Sequence, residues 1–135
     1  MKKQTLILSL SLALVYSAVS QANEIDSRLK LYQSQGASDF SASRGESFWL
    51  KKHPDPKKPG NHRSCGTCHT DNLHSKGKHA RTGKVIEPLA PSSNNERFTD
   101  PKFIEKWFKR NCKWVLAREC SPQEKGDVLM YLKNK

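Results

Sequence analysis

Apolar side chains recur at helical spacing in several separate stretches of this chain, and no run alternates apolar and polar residues in the way of a half-buried strand. Residues 24–35 carry apolar positions three to four apart, which predicts a short first helix. Residues 39–52 repeat the pattern with Phe40, Phe48 and Trp49, so we expect a second helix there. The sequence therefore predicts an all-α domain.

Two more helices are marked by the residues that begin them. Asp100 suits the N-cap of a helix and Pro101 suits its first turn, where the missing N–H is not needed. Ser121 and Glu124 have the spacing of a capping box, in which each residue binds the backbone of the other. We therefore expect helices to begin at both places.

The segments between these helices are rich in turn-forming residues. Residues 53–64, HPDPKKPGNHRS, predict a surface loop, and residues 70–95 are polar and interrupted by Gly and Pro. Irregular segments of that length in a small domain usually serve a function.

The sequence CGTCH, from Cys65 to His69, indicates covalent attachment of one haem c. Cys65 and Cys68 would add to the two vinyl groups of the porphyrin, and His69 would be the proximal iron ligand. A thioredoxin-like redox pair would need a βαβ pattern, which is absent. A zinc site would need two more ligands, and Cys112 and Cys120 are spaced too far apart for a knuckle.

An early helix, CxxCH, a loop and an amphipathic last helix together match a small mono-haem cytochrome c. The early and last helices cross in that fold. Gly45 is the expected crossing contact, because it lets another helix approach closely, with Leu129 or Tyr131 opposite. Residues 70–95 would then wrap an edge of the haem.

The second axial ligand is not obvious, because Met130 lies inside the last helix and we expect it to fill the core. His74 and His79 follow the attachment motif and would give a bis-His haem. His53 and His62 precede it and are weaker candidates, and a Lys amine is conceivable.

A helical wheel of residues 102–115 supplies another candidate. One face gathers the apolar side chains, which are Phe103, Ile104, Trp107, Phe108, Trp114 and Val115. Asn111 falls in the middle of this face, about 80° from Phe103. The charged residues fall outside this face, at Lys102, Glu105, Lys106, Lys109, Arg110 and Lys113. A buried amide needs a partner, which is a backbone carbonyl, a haem propionate or the iron.

The N-terminus predicts export. Lys2 and Lys3, an apolar run of about 14 residues and a small-residue site before Asn23 are typical of a signal peptide covering residues 1–22. The run is shorter than the roughly 20 residues of a membrane span, so we expect a periplasmic protein, residues 23–135, with no stable membrane insertion.

The net charge of +11 includes Lys2 and Lys3, so residues 23–135 still carry +9. Export and the lack of a nucleic-acid-binding pattern argue against a nucleic acid. An acidic protein partner and a merely solvated surface both remain open.

The stretches IEPLAPS, RFTDP, KWFKRNCK and ECSPQEKGDVL resemble the sphaeroides haem protein (SHP) family of oxygen-binding cytochromes c. The likeness extends from about Phe40 to Leu132. It implies a class I fold with a high-spin haem, a distal Asn ligand at Asn111, and a disulfide between Cys112 and Cys120. It also implies that the Asn leaves on reduction, that oxygen or nitric oxide then binds, and that a dihaem cytochrome c supplies the electron.

That disulfide has a structural consequence. Eight residues of continuous helix would separate Cys112 and Cys120 by about 12 Å, whereas a disulfide needs Cα atoms within about 7 Å. The helix must therefore end between them, around Trp114 to Ala117. The bond would hold the ligand helix, with a redox role as the alternative.

Smaller expectations complete the site. Thr82, Lys84 and Arg97 are candidates to bind the haem propionates, and the carbonyl of Pro88 is expected near the proximal imidazole. The sequence leaves open a simple electron carrier with bis-His ligation, and a haem enzyme acting on oxygen or nitrogen species.

Overall fold

The computed structural model describes residues 23–135, so the predicted signal peptide and its cleavage after Ala22 lie outside the described residues. The described part contains five helices: α1 (Ile25–Ser34), α2 (Ala42–Leu50), α3 (Gly66–His69), α4 (Pro101–Leu116) and α5 (Pro122–Lys133). It also contains four two-residue strands: β1 (His53–Pro54), β2 (His62–Arg63), β3 (Gly77–Lys78) and β4 (Val85–Ile86). Strand β1 pairs with β2 and β3 with β4, both antiparallel.

The helix starts follow the capping residues. The Asp100 carboxylate accepts from the backbone N–H groups of Lys102 and Phe103, at 2.8 and 3.2 Å. Both halves of the Ser121–Glu124 capping box are present. Helix α2 begins three residues later than predicted, because Asp39 has a φ of 48° and Ser41 serves as the N-cap.

Helix α4 ends within the predicted range. Its last residue is Leu116, and Ala117 turns the chain with a left-handed φ of 58°. Residues with this φ stop a helix, since the backbone can no longer continue the ladder of hydrogen bonds. Helix α5 begins shortly afterwards, at Pro122.

Helix α2 crosses α5 at Gly45. A Cβ atom on Gly45 would lie 2.0 Å from the carbonyl oxygen of Asp127 and 2.9 Å from Cβ of Tyr131. The prediction of Tyr131 opposite Gly45 is therefore confirmed. Leu129 is instead fully buried in a second cluster, with Ile25, Tyr32 and Ile104, because it lies on another side of α5.

Met130 does not fill the core as predicted. It is only partly buried and belongs to neither buried cluster, whereas its neighbours Tyr131 and Leu132 pack with Trp49 and Leu73. A helix exposes one side, and Met130 lies toward that side. Within residues 23–135 no helix is long and apolar enough to span a membrane.

Candidate haem site

A cavity of about 1690 Å³ lies between α3, the two hairpins and α4. It is larger than the roughly 300–1,000 Å³ that holds a drug-sized molecule. Its lining includes Cys65, Cys68, His69, Trp107, Phe108, Asn111, Trp114 and Val115. The attachment motif and the apolar face of α4 therefore border one space.

The short helix α3 holds the attachment motif in place through two close neighbours. Trp49 of α2 packs its ring against His69, with 5.7 Å between the ring centroids, and its Nε1 donates to the carbonyl of Thr70 at 3.3 Å. On another side, a Cβ atom on Gly77 would lie 2.1 Å from the carbonyl oxygen of Cys68. Only glycine allows β3 to run this close to α3.

The burial of His69 keeps its imidazole neutral. Desolvation, followed by the positive charge of Arg97, lowers the pKa of His69 to about 4. Neutral imidazole is the form that binds a metal. The Nδ1 atom of His69 is buried and has no hydrogen-bond partner within residues 23–135.

The carbonyl oxygen of Pro88, expected near the proximal imidazole, makes no hydrogen bond to Nδ1 of His69 within residues 23–135. The carbonyl oxygen of Pro88 instead accepts from Nε of Arg97 at 2.8 Å and from Nδ2 of Asn94 at 3.4 Å. The guanidinium of Arg97 is half-buried beside the cavity, and it donates a hydrogen bond to the carbonyl oxygen of Pro88.

The two motif cysteines lack the character of a redox pair. Burial raises the pKa of the Cys65 thiol to about 12. The thiolate is the reactive form in thiol–disulfide exchange, so a catalytic cysteine needs a lowered pKa. A buried thiol pair followed directly by His suits covalent attachment better.

The wheel of α4 agrees with the cavity. Every residue that the wheel groups around Asn111 lines this space, from Phe103 to Val115. Phe103 lies at its edge, with 46% of its surface exposed, and packs edge-on against Trp107 at 5.8 Å. The Nε1 atom of Trp107 is buried and has no partner in the described part of the chain.

The other ligand candidates occupy different positions. His74 is exposed, and its Nδ1 bonds to the hydroxyl of Ser93 at 2.8 Å, outside the cavity lining. His53 and Met130 also lie outside that lining. His62 and His79 do line the cavity, and Nδ1 of His79 accepts from the backbone N–H of Thr82 at 3.1 Å.

The three propionate candidates, Thr82, Lys84 and Arg97, also line the cavity. Arg97 is the most constrained, because its Nη2 donates to the carbonyl of Glu87 at 2.5 Å in addition to the bond with Pro88.

Cys112, inside α4, and Cys120, four residues past its end, lie close together. Their sulfur atoms lie 1.97 Å apart and their Cα atoms 5.6 Å apart. Both residues belong to the cavity lining, and Cys112 directly follows Asn111.

Comparison with known proteins identifies the group to which this chain belongs. A family described as a domain of unknown function (DUF1924) matches residues 35–132. The cytochrome c-type protein SHP of Cereibacter sphaeroides is 41% identical over 103 residues, which cover 75% of this chain and 76% of that protein. The chain belongs to the SHP family of c-type cytochromes.

Three further comparisons support this SHP-family assignment. Cytochrome c'' of Methylophilus methylotrophus is 40% identical over 92 residues, covering 68% of this chain and 62% of the relative. The solved structure of oxidized SHP, an oxygen binding cytochrome c, superimposes with a TM-score of 0.72 at 37% identity, covering 82% of this chain and 96% of that one. Oxidized cytochrome c'' gives a TM-score of 0.72 at 32% identity, covering 83% and 94%.

The SHP-family chain therefore has a class I cytochrome c fold and carries one covalent haem c. The residues present fit this group: a neutral buried imidazole with an unpartnered Nδ1, two adjacent thiols and a large cavity. Cys65 and Cys68 would hold the porphyrin, and His69 would bind the iron from its proximal side.

Several residues of the site could not be predicted from the sequence. The helical pattern predicts Trp49 only as a helix-face residue, although it packs on His69. The turn-forming residues around Asp55 and Arg63 predict a surface loop, although both side chains are buried beside the cavity. An Arg two residues before the first attachment cysteine was the available signal.

Proposed function

We propose that this protein binds a small diatomic ligand, oxygen or nitric oxide, at a reduced haem after receiving an electron from a partner cytochrome. The solved structure of oxidized SHP, to which this chain is similar, is described as that of an oxygen binding cytochrome c. The haem supplies an iron that takes up one electron and offers its sixth coordination position to a ligand.

Asn111 is the proposed distal ligand. The observation that carries this proposal is that α4 brings Asn111 into the same cavity as His69, whereas Met130 lies outside it. An amide oxygen is a hard, neutral donor, and it binds ferric iron better than the softer ferrous iron. Asn111 would therefore leave on reduction and free the position for a small ligand. A solution structure of cytochrome c'' gives insights into haem-ligand detachment in that relative.

If Asn111 leaves, two donors of α4 would be available to a small ligand in the cavity. The Asn111 amide can donate a hydrogen bond through its NH₂ group. The indole N–H of Trp107, one helical turn earlier on the same face, is buried with no acceptor among the described residues. Such donors stabilise polar ligands, such as oxygen, more than carbon monoxide.

We further propose that Cys112 and Cys120 are oxidised to a disulfide in the exported protein. An oxidising compartment permits the bond, and their Cα separation of 5.6 Å suits it. The bond would hold the end of α4 and with it Asn111. Removal of residues 1–22 on export to the periplasm belongs to the same proposal.

The basic surface is proposed to meet an acidic redox partner, such as a dihaem cytochrome c. The side of α4 that points away from the cavity exposes Lys102, Lys106, Lys109 and Lys113. Positive charge on this side would attract an acidic protein and speed the encounter.

Absorption spectra of the ferric and ferrous protein, with and without carbon monoxide, test the proposal. We expect the ferrous protein to be high-spin and to bind carbon monoxide and oxygen. We expect Asn111→Ala to change the ferric spectrum and to alter oxygen affinity and autoxidation. The exposed Asn95, outside the cavity, provides the control variant Asn95→Ala, which should change neither. A low-spin ferrous form inert to carbon monoxide would reject the proposal.

A bis-His electron carrier is the second candidate, because His62 and His79 line the cavity. The ferric spectrum separates it from the first, since two imidazoles hold ferric haem low-spin, whereas an amide oxygen is a weaker-field ligand. A haem enzyme acting on oxygen or nitrogen species is tested by turnover with a reductant and hydroxylamine, nitric oxide or peroxide.

A further inference from the structure

Arg63 connects the haem-attachment segment to helix α4. It lies two residues before Cys65, and 10% of its side chain is exposed. Its Nη1 donates to the carbonyl oxygen of Trp114 at 2.8 Å, and its guanidinium stacks 4.4 Å from the centre of the Trp114 ring. One side chain thus reaches from the motif to the last turn of α4.

The contact with Trp114 satisfies an otherwise free helix end. Helix α4 ends at Leu116, so the carbonyl of Trp114 belongs to the last turn, where carbonyls have no partner within the helix. Arg63 supplies a charged donor for it, which strengthens the bond. Asn111 lies one turn earlier, so this contact bears on its position.

Asp55 fixes Arg63 in this orientation. Its Oδ1 accepts from Nη2 of Arg63 at 2.5 Å and from the backbone N–H of Lys57 at 2.8 Å. Burial alone would raise the pKa of Asp55, but these hydrogen bonds lower it overall. The carboxylate therefore stays charged and orients the planar guanidinium.

We propose that Arg63 is a positioning residue that sets how strongly Asn111 binds the ferric iron. The inference rests on the proposed function, because it assumes that Asn111 is the distal ligand. The attachment segment would fix the position of the haem, and Arg63 would fix the end of α4 against that segment. Arg63 would thereby set the position of Asn111 relative to the iron. Loss of Arg63 would release the end of α4 and weaken the binding of Asn111 to ferric iron. The ferrous protein, in which Asn111 is not bound, would be unaffected.

Competition with imidazole measures this effect. Imidazole binds ferric haem in its neutral form, so at a fixed pH its binding does not respond to the charge of Arg63 as that of an anion would. It binds only when Asn111 is displaced, and its apparent affinity rises with the fraction of protein in which Asn111 is already off. We expect Arg63→Met to raise ferric imidazole affinity about tenfold, with less than about a twofold change in ferrous carbon monoxide affinity, since Asn111 is already off there.

The double variant tests whether the effect passes through Asn111. In an Asn111→Ala background, Arg63→Met should leave imidazole affinity unchanged, because no ligand remains to position. An equal rise in both backgrounds would overturn the inference and indicate a direct effect of Arg63 on the haem. No rise in either background would also overturn it.

Two milder variants distinguish a loss of positioning from a general loss of folding. Arg63→Lys keeps the charge but not the planar fork, and Asp55→Asn keeps Arg63 but removes its charged anchor. Both should raise imidazole affinity less than Arg63→Met does. Arg44→Met is the matched control, since Arg44 pairs with Asp127 at 2.9 Å outside the cavity, and it should leave imidazole affinity unchanged.

The two levels of proposal fail differently. If Asn111→Ala itself leaves ferric imidazole affinity and the ferric spectrum unchanged, the assignment of the distal ligand is wrong. If Asn111→Ala raises imidazole affinity and the Arg63 and Asp55 variants do not, only the role of Arg63 is wrong.

Discussion

Single residues decide how closely the elements of this protein approach. Gly45 is one of them, because α5 lies where a side chain would begin. Gly77 plays the same part between β3 and α3, against the backbone of Cys68. In both places the absence of a side chain is what brings the backbone of one element against another. The haem-binding segment and the helix crossing therefore depend on residues that take no part in the chemistry.

We expect Gly45→Ala to destabilise the protein by about 1–3 kcal/mol, since the added Cβ overlaps a carbonyl and must push α2 away from α5. Chemical denaturation of the holoprotein, followed by circular dichroism, measures the free energy of unfolding. The exposed Ser47 of the same helix supplies the control, and Ser47→Ala should change stability by less than about 0.5 kcal/mol. Equal effects of the two substitutions would contradict the close crossing.

The residue scale also shows what a sequence can and cannot predict. The positions of Gly45 and Asn111 could be predicted, because helical periodicity shows which face of its own helix each residue lies on. The contact of Arg63 with Trp114 could not be recognised, since it depends on a loop that folds back onto α4 and leaves no local pattern. The hydrogen bond from Arg97 to the carbonyl of Pro88 also depends on the fold of an irregular segment, which no periodicity predicts.

At the scale of elements, α4 carries one face toward the cavity and one toward solvent. The amphipathic period predicted this face, and Asp100 and Ala117 give the helix sharp ends. The hairpins were not predicted, because two-residue strands are too short to show alternation. They arise from the turns at residues 55–61 and 79–84, and they bring His62, Arg63 and His79 to the cavity.

We expect replacement of Cys112 and Cys120 together by Ser to lower the free energy of unfolding by roughly 2–3 kcal/mol, as the small loop they close is freed in the unfolded chain. The ferric spectrum should show more protein without Asn111 bound, because the end of α4 is less constrained. Mass spectrometry of the non-reduced, alkylated holoprotein tests the bond directly. Two alkylated thiols in the native chain would contradict it, and an unchanged ferric spectrum would show that the bond only stabilises the fold.

At the scale of the whole molecule, the cavity and a row of exposed lysines lie on two sides of α4. The cavity is the proposed site of the haem and its small ligand, and the lysine row is the proposed docking surface. A partner that docked on α4 would approach the helix that carries Asn111. Under the proposed function, electron entry and ligand exchange would therefore involve the same helix.

The lysine row can be tested by charge reversal with a matched control. Lys109 and Lys30 are both exposed helical lysines, on α4 and on α1. Lys109→Glu and Lys30→Glu change the net charge equally, so a difference between them reports position. We expect Lys109→Glu to slow reduction by an acidic dihaem cytochrome c roughly three- to tenfold at low salt, and Lys30→Glu to have a much smaller effect.

Ionic strength supplies the second arm of this test. Stopped-flow absorbance gives the second-order rate constant, and the difference between the two variants should disappear near 1 M salt, where the screening length is about 3 Å. If α4 attracts the partner by charge alone, salt should abolish the difference in rate constant between the two variants. A difference that depends on the shape of the contact would persist. Equal slowing by both variants at low salt would mean that the net charge of the molecule, and not α4, guides the partner.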